Sequence, residues 1–139
     1  MRTLIRIIIA SAALFFLTAC VSSNYMAIGD QTYPPRADDY VIDVYLPTDA
    51  PVNVHQSVAN SKPLASLPSY AREIGRIDTE GAPAASWSSV INDAKKKARA
   101  LGGDALVIKQ WGSYLSGVDG YGTAYHGKNL SMTVVRYRP

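Results

Sequence analysis

The stretch SWSSVINDAKKKARALGGDALVIKQW, residues 86–111, decides the fold. Trp87, Val90, Ile91, Ala94, Ala98 and Leu101 fall at helical spacing and make one apolar stripe. Ser86 stands where such a helix begins, and its hydroxyl can accept from a first-turn amide that has no partner within the helix. Lys95, Lys96, Lys97 and Arg99 lie off the stripe in the C-terminal half, where positive charge complements the helix dipole; they read as a solvated face. Gly102 offers the left-handed conformation that closes a helix. Ala105 to Trp111 follows, apolar on both faces at Leu106, Val107 and Ile108, which predicts a central strand.

The flanking segments extend this unit. Arg72 to Thr79 reads as a strand in which Ile74 and Ile77 are out of phase, and a bulge at Gly75 brings both to one face. Strand, helix and strand in that order imply a right-handed parallel crossover. Upstream, Tyr40, Ile42, Val44 and Leu46 alternate with Val41, Asp43 and Tyr45, the period of a half-buried strand that Pro47 ends. Prolines at 51, 63 and 68 break the pattern beyond it, although Val52-Asn53-Val54 suits a short edge strand. Asn129 to Arg138 forms the last strand, with Leu130, Met132 and Val134 inward. The expected fold is α+β: a small mixed β-sheet with one main helix packed on one face, in the order β-β-α-β-β.

Glu73 to Ile77, and again Ala94-Lys-Lys-Lys-Ala-Arg-Ala-Leu-Gly-Gly-Asp-Ala-Leu-Val-Ile108, carry a resemblance. They are similar to the strand–helix–strand unit of small bacterial domains in the RcsF-like and YbjQ-like group. In that group a helix ending Lys-Ala-x-x-Leu-Gly-Ala-x-Ala feeds a strand of Val and Ile. The shared motif is one of packing, since Ala and Gly let the helix lie close on the sheet. The resemblance implies an envelope setting. For the outer-membrane lipoprotein in that group, it implies sensing of envelope damage through a partner protein. That lipoprotein's domain is held by disulfides, which this chain cannot make, and no catalytic residue carries over.

The N-terminus supplies an address. Arg2 and Arg6 stand in front of an apolar stretch that runs from Ile7 to Leu17, and Leu17-Thr18-Ala19-Cys20 closes it. This is the basic, apolar and small-residue layout of an export signal. Leu-Thr-Ala-Cys resembles the lipobox of bacterial lipoproteins, in which the thiol receives a diacylglycerol, the preceding peptide is removed and the new amine is acylated. The run is shorter than the about 20 apolar residues of a membrane-spanning helix. A plain signal peptide, cut without lipidation, is the alternative. Several acyl chains anchor stably where one is marginal. Val21 is not the Asp that favours inner-membrane retention, so the expected location is the periplasmic face of the outer membrane. The reading divides the chain into a signal peptide over 1–19, a lipidated tether over 20–39 and an envelope domain over 40–139. The tether reading rests on Val21 to Asp39, which is polar and turn-rich with no surviving period.

Removing the signal changes the charge. The whole chain has 14 Lys and Arg against 11 Asp and Glu, and loss of Arg2 and Arg6 leaves about one net positive charge. Nucleic acid therefore has no support as a partner. The single Cys is taken by the lipobox, so no internal disulfide forms and the domain stands on packing.

Function concentrates on the long Gly- and Tyr-rich stretch from Gly112 to Lys128. Gly122 to Asn129 approaches phosphate-loop spacing, but Asn129 replaces Ser or Thr and a strand follows instead of a helix, so no nucleotide is expected. Asp119, His126 and either Ser113 or Ser116 supply the residue types of a triad without a nucleophile elbow. The chain has only two histidines, His55 and His126, too few to suggest a metal centre. Trp111, Tyr114, Tyr121 and Tyr125, with His126 among them, offer amphipathic area of the kind enriched at interfaces. Either they bind a partner or the tyrosines cover the open sheet face. The expected function is thus a membrane-anchored, non-enzymatic binding, structural or envelope-stress-sensing module with no cofactor. Its partner is an envelope protein or peptidoglycan. The alternatives are a small periplasmic hydrolase and a metal-binding module.

Overall fold

The structure is a computed structural model describing residues 20–138, so the signal peptide expected over 1–19 lies outside the described residues. Along the chain run β1 (Val21–Ala27), β2 (Asp43–Leu46), α1 (Val52–Gln56), β3 (Lys62–Pro63), a single 3-10 turn, β4 (Ala71–Gly81), α2 (Trp87–Ala100), β5 (Ala105–Val118) and β6 (Ala124–Tyr137). The strands form one six-stranded sheet in the spatial order β1-β4-β6-β5-β2-β3. β4 and β5 both pair antiparallel with β6, so they run parallel to each other with β6 inserted between them.

This corrects the expected α+β fold with β-β-α-β-β order. The molecule is sheet-dominated, with strands making up 44% of it and one main helix. Two misreadings account for most of the difference. Val52–Gln56 is a short helix and no edge strand, because Pro51 starts a turn whose carbonyl accepts from Val54 and His55. Val21–Ala27, read as tether, is an edge strand paired along its whole length with Gly81 to Gly75 of β4.

β1 holds because its alternate residues find partners. Val21, Ser23 and Tyr25 are half-buried. The Ser23 hydroxyl lies 2.8 Å from that of Thr79 and donates to Asp93 on α2. The Tyr25 ring fills the space above Gly75 that a side chain would occupy, and its hydroxyl donates to the Ile74 carbonyl at 2.9 Å. The register shifts between Glu73 and Gly75, and Ile74 and Ile77 are both buried, so the bulge read from the sequence is present. Residues after β1 also return to the domain: the Arg36 amide donates to the Arg99 carbonyl at 2.8 Å.

α2 lies as its stripe requires. Val90, Ile91, Ala94 and Ala98 are buried against the sheet, and the Ser89 amide donates to Ser86 Oγ at 3.0 Å. Gly102 has φ of +77°, and a side chain there would meet the Pro34 carbonyl, so the helix end and the returning 28–39 segment share one tight contact. Asp104, 2% exposed, ties this end together. Its carboxylate accepts from Arg36 and the Tyr40 hydroxyl, each at 2.7 Å, and from the Tyr137 amide at 2.8 Å.

The helix and the strands differ in length. A 14-residue helix is about 21 Å long, whereas a 14-residue strand spans roughly 47 Å. α2 therefore covers less than half of β5 and β6. Ala105 to Ile108 and Leu130 to Val135 are mainly buried, and the outer part of the same hairpin is not.

Candidate functional site

β5 and β6 continue past the helix as a two-stranded arm. Trp111 pairs with Leu130, Ser113 with Lys128, Tyr114 with Gly127, Leu115 with His126 and Val118 with Ala124. Bulges after Ile108 and Leu115 break the alternation along β5. The stretch expected to be a loop is therefore largely strand, closed by a short turn. Asp119 builds that turn. Its Oδ1 accepts the amides of Tyr121 and Thr123, both at 2.9 Å, and its Oδ2 accepts the Tyr125 hydroxyl at 3.1 Å. Bonds from the Thr123 and Tyr121 amides hold the carboxyl below the usual aspartate range. Gly122, with φ of +82°, supplies the left-handed residue the turn needs.

The five aromatic and imidazole residues named from the sequence separate in space. Trp111 is half-buried and packs on the main core. Tyr114 lays its ring where a Gly127 side chain would stand and donates to the Gly81 carbonyl at 3.3 Å. These two fasten the base of the arm. Tyr125 is partly committed to Asp119, and Tyr121 at the apex is 97% exposed. His126 is exposed on β6 opposite Leu115. Among the described residues no hydrogen bond joins Asp119, His126, Ser113 and Ser116, and no three His, Cys, Asp or Glu side chains gather as metal ligands.

Sequence reasoning missed Leu115 and Val118, which are 59% and 58% exposed. Their partners His126 and Ala124 are two apart on β6, so both apolar side chains project from one face of the arm. That is the face on which Leu130, Met132 and α2 also lie. Further back, the Lys128 ammonium stands 6.0 Å from the ring centre of Trp87, at the start of α2. Also missed is a shallow trough of about 780 Å³ on the uncovered sheet face, lined by Arg76, Asp78, Glu80, Gln110, Asn129 and Ser131. Its signal was present in the outward alternation of β4 and β6.

Cys20 sits at the same end as the arm. Val21, Gly81, Lys128 and Ser113 form one row across β1, β4, β6 and β5. Cys20 is one residue beyond that row on the side toward which the arm extends. It is exposed, and its carbonyl accepts from the Ala82 amide at 2.9 Å. Among the described residues no helix is long and apolar enough to cross a membrane. The chain matches no family model, no curated protein and no solved structure.

Proposed function

We propose that this protein is a lipoprotein of the bacterial envelope, anchored through acylated Cys20 on the periplasmic face of the outer membrane. It acts there as a non-enzymatic binding, structural or envelope-stress-sensing module, and the resemblance to the RcsF-like group supports the envelope setting. The contact surface is the arm from Gly112 to Lys128. One observation carries the reading: the lipobox cysteine is exposed, directly precedes the first strand, and lies at the end of the sheet from which the arm protrudes. A lipid on this cysteine clashes with no buried element. Asp119, which the hydrolase alternative needs, has both carboxylate oxygens bonded within the turn, to Tyr121, Thr123 and Tyr125.

The test is metabolic labelling with a fatty acid in cells producing the full chain. The wild type is expected to take up label and fractionate with the outer membrane, and Cys20→Ala to lose both. A Cys20→Ala chain that still labels contradicts the lipid assignment. Turnover of ester, peptide or glycan substrates that both Asp119→Asn and His126→Ala abolish would contradict the non-enzymatic one.

A further inference from the structure

We propose that the outer end of the arm, through Leu115, Val118 and Tyr121, seats in the headgroup–acyl boundary of the bilayer that holds Cys20. The inference rests on the anchoring reading above and names the partner of the same surface.

The geometry comes from strand register. From the row shared by Val21 and Ser113, β5 continues to Val118 and β6 returns from Ala124, carrying the turn roughly 15 Å past the level of Cys20. Sideways, three strand spacings separate β1 from β5, about 14 Å. No slack lies between Cys20 and the domain, because β1 begins at Val21 and Cys20 itself is bonded to Ala82. A lipid at Cys20 therefore sets the bilayer surface against this end of the sheet. The arm, which reaches further than Cys20, must enter the interface or tilt along it. An uncut apolar segment 1–19 would join the domain at the same point and place the membrane on the same side.

The chemistry of the tip suits that depth. Leu115 and Val118 share one bare face, and Tyr121 stands exposed at the apex. Apolar side chains of this kind gain by leaving water, and tyrosine rings collect at membrane interfaces. Asp119 keeps its charge, since the turn amides favour the carboxylate. It is already hydrogen-bonded within the turn, so it is tolerable among headgroups but not in the hydrocarbon centre. The tip thus stops at the boundary. Little affinity is required of it, because the anchor holds it at a high effective concentration.

The experiment uses full-length protein, processed in cells and reconstituted into protein-free vesicles of phosphatidylethanolamine and phosphatidylglycerol. Single Tyr121→Cys and Lys96→Cys chains carry an environment-sensitive dye and are challenged with an aqueous quencher. The expected result is a blue-shifted dye at position 121, quenched several-fold more slowly than the dye at 96 on the outer face of α2. Replacing Leu115 and Val118 together by Ser is expected to abolish that protection while leaving the circular dichroism spectrum unchanged. Equal quenching at 121 and 96 overturns the inference, as does protection that appears only when other envelope proteins are added, which would assign the tip to a protein partner. Failure of the lipid assignment shows separately, as dye on the unmutated Cys20 thiol and a mass without acyl groups. In that case the same comparison is read on chain held in the vesicle by residues 1–19. A chain that binds vesicles by neither route overturns the inference.

Discussion

The inner and outer halves of the β5–β6 hairpin share the same two strands and an almost continuous ladder, yet they live in different surroundings. Leu106, Ile108, Met132 and Val134 are fully buried beneath α2, whereas Leu115 and Val118 are more than half exposed on that same face. Pairing is therefore not what buries a strand. Coverage is, and a 14-residue helix cannot cover a 14-residue strand. The inner half stabilises the domain, and the outer half stands bare.

The comparison can be broken most directly within one strand. Ile108→Ala empties a fully buried site and is expected to cost about 3 kcal/mol, in the range of such core truncations. Leu115→Ala, on the same face of the same strand, is expected to change stability by about 0.5 kcal/mol or less. Urea unfolding of both variants measures the contrast, and equal losses would show that the arm packs on something.

A smaller effect tests where the bare part begins. The Tyr114 ring occupies the position of a side chain at Gly127, so Gly127→Ala must displace it. The expected cost is about 1–2 kcal/mol from overpacking, together with a shift of the Tyr114 ring resonances in an NMR spectrum. A neutral Gly127→Ala would place the ordered base of the arm further back, nearer Trp111 and Leu130.

These contrasts also explain what could be read from the chain. The helix with its Ser86 cap, the Gly75 bulge and the central strand at Leu106 to Ile108 were legible, because each rests on local spacing or on a run of one chemical type. β1 was not. Val21-Ser-Ser-Asn-Tyr-Met-Ala is too polar to announce itself, and its stability comes from Thr79, Asp93 and Gly75, residues about 50 to 70 positions away. The arm does not read as strand, because the bulge after Leu115 breaks its alternation and glycines occupy positions where apolar residues would mark a strand. At the site, Tyr121 was visible as an aromatic in a turn. Trp111 and Tyr114 proved to serve the core and the base of the arm, a distinction that depends on partners across the sheet.

The seating of the arm in the bilayer depends on β1 being part of the sheet, which leaves no slack between Cys20 and the domain. Amide hydrogen exchange over Val21–Ala27, in protein processed in cells and reconstituted into vesicles, tests this most directly. Pairing with β4 predicts that the inward-bonded amides of this segment exchange many-fold more slowly than an unstructured chain, in step with the β4 amides that face them. Exchange over Val21–Ala27 at the rate of free chain, while β4 stays protected, would restore a flexible tether and contradict the account.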